Sequence, residues 1–277
     1  MLLEAITLSH HYADGSTGLD SCSLAIRRGS RNALLGANGS GKTTLLQHFN
    51  GLLQPSNGSL RYAGTPLDTS RAGLSALRRR VGLVFQNPDR QLFSASVIED
   101  VSFGPLNLGL DEATVRRRVA EALADVGMAE HAERPVHHLS FGQKKRVCIA
   151  GVLAMQPEVL LLDEPMAGLD AAMQLELQTL LDGLAAQGIT IVLSTHDVDF
   201  AYRWADDIHL LAAGRCLASF AASELPQYAA LLQQAGQSIP AIIELQRILA
   251  AHGLLAAQPA TLSLEALLSA LTAKETI

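Results

Sequence analysis

The stretch Gly36-Ala37-Asn38-Gly39-Ser40-Gly41-Lys42-Thr43 constrains the fold of this chain more than any other. It matches GxxxxGK[ST], and it stands in the required context: a short apolar strand, Asn32 to Leu35, runs into it and a helical stretch from Lys42 to about Asn50 leaves it. Glycines let the backbone wrap closely around phosphate oxygens, and a helix N-terminus adds amide donors and a favourable dipole. Gly36, Asn38, Gly39, Ser40 and Gly41, with Thr44 just inside the helix, are therefore expected to cradle the phosphates of ATP. Lys42 is expected to bridge the β- and γ-phosphates and Thr43 to hold Mg²⁺.

Around this turn the apolar pattern predicts alternating strands and helices. Glu4 to Ser9 alternates as a half-buried strand, with Ile6 and Leu8 on one face and Thr7 and Ser9 on the other, and Ser23 to Arg27 repeats the pattern. Val115, Val119, Leu123 and Val126 recur at helical spacing, so residues 87–156 read as predominantly helical. Val159–Leu162 and Thr190–Leu193 return to buried-strand character on either side of an Ala- and Leu-rich helix, as in a parallel sheet. The expected plan is an α/β nucleotide-binding core in two parts, 1–86 and 157–222, with a helical subdomain at 87–156 inserted between them. A short helical extension covers 223–277. There Ser238 is a candidate N-cap, and Ile242, Leu245, Ile248 and Leu249 share one face of a helix from Ala241 to Ala251.

Asp163 closes the apolar run Val159–Leu162, which is how a buried strand delivers a carboxylate to its C-terminal edge. It is expected to bind Mg²⁺ through water. Glu164 follows at once, and because strand side chains alternate it points elsewhere, as suits a general base polarising the attacking water. Twenty residues before Asp163 ends Leu139-Ser140-Phe141-Gly142-Gln143. Ser followed three residues later by Gln is a capping box. A capped helix start that presents Ser140, the Gly142 backbone and Gln143 is also an anion site, suited to the γ-phosphate held by a second subunit.

In this order the segments closely resemble ABC ATPases, in which two copies sandwich ATP, and the resemblance spans residues 1 to about 215. It implies a P-loop ABC-type nucleotide-binding domain with a mixed-sheet core. It further implies that Tyr12 stacks on adenine, that Gln86 senses Mg²⁺ and γ-phosphate, that Gly168-Leu169-Asp170 is the D-loop and that His196 is the switch histidine contacting γ-phosphate. One departure stands out. Phe141 occupies a position where the family usually has Gly, so its ring must point away from the nucleotide or pack at the dimer interface. Asn87-Pro88-Asp89-Arg90-Gln91-Leu92-Phe93 after Gln86, together with Leu139 to Arg146, is similar to the ATPase of energy-coupling-factor importers, most of all the cobalt/nickel branch. That likeness implies a homodimer, or a heterodimer with a related ATPase, bound to an integral membrane coupling subunit and a substrate-binding membrane subunit at the cytoplasmic face of the membrane. Leu92 and Phe93 would then anchor a helix of the membrane partner.

Composition narrows the classes. Lys plus Arg number 21 against 27 for Asp plus Glu, a net charge of −6, so no basic excess argues for nucleic acid. Arg78-Arg79-Arg80 and Arg116-Arg117-Arg118 read as solvated helix faces. Cys22, Cys148 and Cys216 are scattered and suit a reducing compartment. No apolar run approaches the roughly 18 residues a membrane span needs, and no signal-peptide plan is present. His131, His137 and His138 lack the carboxylate or thiol spacing of a metal site. The alternatives are a vitamin importer of the same group and a non-transport ABC ATPase; the absence of a coiled-coil insertion and of a second cassette weighs against the latter.

Overall fold

Both faces of the central strands are apolar because both are covered. In a computed structural model that describes residues 1–254 and 267–269, strands β1 (Leu3–His11), β2 (Thr17–Ile26), β4 (Asn57–Tyr62) and β5 (Thr65–Pro66) form an antiparallel sheet in the order β2-β1-β4-β5. The second sheet runs β10-β9-β3-β8-β7-β6, from β3 (Arg31–Leu35), β6 (Val81–Val84), β7 (Val159–Leu162), β8 (Thr190–Thr195), β9 (Asp207–Ala212) and β10 (Arg215–Ala221). Its strands β9, β3, β8, β7 and β6 are parallel, and β10 pairs antiparallel on the edge. Alternate residues serve two cores. Val159 and Leu161 face the layer made with the antiparallel sheet and α1 (Lys42–Phe49), whereas Leu160 and Leu162 face the helices on the other side. Each fully buried Leu or Val contributes roughly 1.5–3 kcal/mol, so unbroken runs such as Val159–Leu162 are what two-sided burial selects.

Helix α2 (Arg71–Arg80) leads into β6. Between β6 and β7 the chain forms α3 (Val97–Asn107), α4 (Glu112–Asp125) and α5 (Phe141–Leu153) and no regular strand, as the helical periodicity predicts. Asp111 caps α4 by accepting the Thr114 N–H at 3.0 Å, and Val115, Val119 and Leu123 are buried as their spacing requires. Helix α6 (Ala171–Ala186) returns the chain to β8, and α7 (Val198–Trp204) joins β8 to β9. After β10 come a short 3-10 turn, α8 (Ala229–Gln234) and α9 (Ala241–Ala251). The expected helical extension over 223–277 lies partly outside the described residues.

The structure corrects two details. Ile6 and Leu8 do not share a face, because Thr7 adopts φ +45° in a bulge between Ala5 and Leu8 that switches the phase of the strand. Leu3 and Ala5 point inward before it and Leu8 after it, with Ile6 half-buried. Gly58 makes room for this kink, since a Cβ there would lie 2.3 Å from the Thr7 carbonyl oxygen. In α9 the N-cap is Pro240 rather than Ser238, and Ile243 is the buried residue, with Leu245 and Ile248 exposed. The apolar positions admit two helix faces, and docking against α7, where the Ala241 N–H donates to Asp199 Oδ1 at 2.9 Å, selects the one carrying Ile243.

Candidate active site

Four adjacent parallel strands end on one edge, and each delivers part of the site just past its last residue: the glycine-rich turn after β3, Gln86 after β6, Asp163 and Glu164 after β7, His196 after β8. Loops at the carboxyl ends of such strands are where α/β sheets bind ligands. At two of its glycines the turn is packed too closely for a side chain. A Cβ on Gly36 would lie 2.3 Å from the Leu211 carbonyl oxygen, and Gly41 combines φ +101° with a Cβ position 2.6 Å from the Gly18 carbonyl oxygen. Ser40 and Lys42 are buried, and the Ser40 hydroxyl has no protein partner.

Lys42 Nζ donates to the carbonyls of Gly36 (2.7 Å) and Ala37 (3.1 Å) and lies 3.5 Å from Glu164 Oε1. The other carboxylate oxygen of Glu164 pairs with His196 Nδ1 at 3.1 Å. Glu164 itself sits at φ +43°, a left-handed conformation that a non-glycine residue holds only when its surroundings enforce it. Asp163 is buried. Its oxygens accept from the Thr43 hydroxyl (2.8 and 3.0 Å) and from the Ser194 hydroxyl (2.6 Å), with no ion pair to it among the described residues.

Tyr12, Asn38, Gly39, Ser40, Gly41, Lys42, Thr43, Thr44, Gln86 and Glu164 line one pocket. Tyr12 stands at its edge, anchored by a 2.8 Å hydrogen bond between its hydroxyl and Thr44 Oγ1 and by an edge-on contact with the His10 ring. Ser140, Gly142 and Gln143 are not in this pocket; they line a separate concavity with His131, Met173 and Glu176. The capping box forms, Ser140 Oγ accepting from Gln143 N (3.3 Å) and Gln143 Oε1 from Ser140 N (3.0 Å). Asp170 caps α6, accepting the Met173 N–H at 2.8 Å. The chain therefore presents its phosphate-loop group and its signature group on different surfaces.

Three further residues complete the arrangement. Ser194 bridges the two acids, donating to Asp163 while accepting the Glu164 N–H at 2.8 Å; a hydroxyl interrupting the apolar run of β8 was its only signal. Lys145, buried on α5, donates to the carbonyls of Pro165 (2.6 Å) and Ala167 (2.7 Å), tying the signature helix to the turn after Glu164. Burial pushes its ammonium down to about 8, against the pull of Cys148 and Glu164. The Phe141 ring lies 5.2 Å from that ammonium and packs over Gly168 of the D-loop segment, so the bulky signature residue folds back onto its own subunit. Gln91 receives the Phe85 N–H at 3.1 Å and donates to the Cys148 carbonyl at 3.2 Å, fixing the segment after Gln86 against α5.

Residues 19–167 match the family model described as ABC transporter. The cobalt import ATP-binding protein CbiO of Rhodobacter capsulatus is 52% identical over 244 residues, covering 88% of this chain and 87% of that protein. The chain belongs to the ABC transporter family. It is an ATPase of that family, with the α/β architecture of its nucleotide-binding domains. The energy-coupling factor transporter ATP-binding protein EcfA of Methanocaldococcus jannaschii is 44% identical over 248 residues, 90% of this chain and 89% of that one. Among solved structures, cbiO1 from Clostridium perfringens, described as part of the ABC transporter complex cbiONQ, superposes with a TM-score of 0.76 at 42% identity, covering 91% of this chain and 98% of that one. The dimeric ATP-binding cassette MJ0796 bound to ADP and Pi gives 0.72 at 27% identity, covering 80% of this chain and 99% of that one.

Proposed function

We propose that this chain is the ATP-hydrolysing subunit of an energy-coupling-factor importer for cobalt or nickel ions. The observation that carries the catalytic half of the reading is Glu164, held between Lys42 and His196 at the mouth of the phosphate-loop pocket. Its Oε2 is positioned by His196 and its Oε1 faces Lys42, so the carboxylate accepts the proton of an attacking water once Lys42 turns to the phosphates. Lys42 exchanges its backbone carbonyl partners for phosphate oxygens when ATP enters, and His196 moves with the γ-phosphate it contacts. Tyr12 offers its ring to adenine, and Gln86, exposed beside the pocket, reports the γ-phosphate to the segment that follows it.

Thr43, Asp163 and Gln86 fit Mg²⁺: all offer oxygen ligands, and among the described residues the buried Asp163 carboxylate is met by side-chain hydroxyls alone. When bound, the ion neutralises charge on the β- and γ-phosphate oxygens. Ser140, Gly142 and Gln143 serve a second subunit, a copy of this chain or a related ATPase, with Asp170 beside the shared interface. Among the described residues no helix is long and apolar enough to cross a membrane, so in this reading separate membrane subunits carry the cargo and the chain sits peripherally on the cytoplasmic face. The 52% identity to a cobalt import ATP-binding protein favours a metal cargo over a vitamin.

Glu164→Gln is expected to keep ATP binding while turnover falls by roughly 10² to 10⁴, the usual contribution of a general base. Near-normal steady-state hydrolysis by the purified variant would remove Glu164 from that role. Deleting the gene should abolish high-affinity uptake of labelled cobalt or nickel; intact metal uptake with loss of a labelled vitamin would assign the cargo to the vitamin class instead.

A further inference from the structure

Strands β3 and β8 are paired up to the Gly36 N–H, which donates to the Thr195 carbonyl at 3.3 Å. One residue further on the two chains part, β3 into the phosphate loop and β8 into the loop of His196. A residue from the far end of the chain occupies that fork. With its amide oriented to satisfy both neighbours, Gln237 accepts the Ala37 N–H at 3.1 Å through its oxygen and donates to the His196 carbonyl at 3.1 Å through its nitrogen. It thereby stands where the next peptide unit of the sheet ladder would be, satisfying one donor and one acceptor that the divergence would otherwise leave unpaired.

The placement is built rather than incidental. Gln237 is buried, and the turn that aims it uses Gly236 at φ +70° and a 2.8 Å bond from the Gln237 N–H to the Leu232 carbonyl at the end of α8. Leu225 and Leu232 are fully buried beneath this segment, and the Ala241 N–H bond to Asp199 anchors the following helix to α7, the element directly after His196.

We infer that Gln237 is a positioning residue that sets the separation between the phosphate loop and the switch-histidine loop, so that the C-terminal segment belongs to the catalytic unit. This rests on the reading of His196 as the γ-phosphate contact. The loops on either side of the amide are the two that must respond when ATP enters, and an amide bonded to both holds them in one register.

The test is steady-state ATPase kinetics of the full chain with three variants. Gln237→Leu keeps the volume and removes both bonds; kcat is expected to fall about tenfold, as loss of two buried hydrogen bonds at a catalytic loop implies, with KM and nucleotide affinity within about threefold and a melting temperature near wild type. Wild-type kcat, or a fall matched by an equal loss of nucleotide affinity, would overturn the proposal. Gln237→Glu keeps the acceptor but donates to His196 only when protonated, so its kcat relative to wild type should rise as pH falls from about 7 to 5; His196 and Asp199 are common to both proteins and drop out of the ratio. A flat ratio counts against the fork. His196→Ala separates the two readings: retained turnover there sinks the switch assignment, whereas its loss beside an unaffected Gln237→Leu sinks only the Gln237 inference.

Discussion

His209, 2% exposed in β9, pairs through Nδ1 with Ser219 Oγ (2.8 Å) and through Nε2 with Asn32 Oδ1 (3.3 Å). Burial pushes its pKa from the ordinary 6.5 to about 4. The unfolded chain therefore takes up this proton first as the solution is acidified. The stabilisation is complete above about pH 6.5 and is lost as pH falls to about 4, on the order of 3 kcal/mol in all. Unfolding curves between pH 7.5 and 4.5 should show wild type losing more stability than His209→Gln; parallel pH dependence would refute the assignment. Residues whose chemistry demands fixed neighbours, Gly36 to Thr43 and Asp163-Glu164, were legible in the sequence. Ser194 and Gln237 were not, because each acts on a partner brought near only by folding, and a single Ser or Gln carries no spacing to betray it; Lys145 stood in the run from Leu139 to Arg146, but its tie to Pro165 and Ala167 is likewise made only by folding. The Thr7 bulge was hidden for a related reason: Ile and Thr alternate plausibly in either phase.

At the scale of elements, the segment from Gln86 to α3 divides the expected pair of anchors. Leu92 packs against the main core, whereas Phe93 is 65% exposed and meets the Phe103 ring of α3 edge-on at 4.7 Å. Both rings line a groove whose far wall carries Leu52 and the α2 arginines Arg71, Arg78 and Arg79. Arg78 is thus more than a solvated residue, its guanidinium also donating to the Gly51 carbonyl at 2.7 Å. Replacing Phe93 and Phe103 with Ala should weaken docking of a membrane partner's helix by about 2 kcal/mol or more at unchanged melting temperature, since a helix in a groove depends on a few anchors. Leu92→Ala should do the reverse, lowering the melting temperature with docking retained. Pull-down of the partner paired with melting curves checks both, and equal binding by the double variant would remove the aromatic pair from the interface. The sequence marked this segment as interfacial but assigned both anchors to it, since burial of Leu92 depends on helices that lie after it in the chain.

On the scale of the molecule, the phosphate-loop pocket and the signature concavity are separate on one chain, and the proposed function has an intact site take one from each of two subunits. A Lys42→Ala chain mixed with a Gly142→Asp chain should regain part of the activity that each lacks alone, because one of the two sites in a mixed dimer is whole. Differentially tagged dimers that form and remain inactive would undo the composite arrangement. The insertion carrying α3 to α5 leaves the sheet after Val84 and returns at Val159, and β6 and β7 are immediate neighbours paired from Val81 with Val159 to Val84 with Leu162. Exit and re-entry are therefore stapled together by the sheet itself. Lengthening or exchanging what hangs between them carries an entropic cost that grows only with the logarithm of its length. Such a joint lets the lobe between β6 and β7 be altered while the strand ends that carry the phosphate loop, Asp163 and Glu164 keep their places.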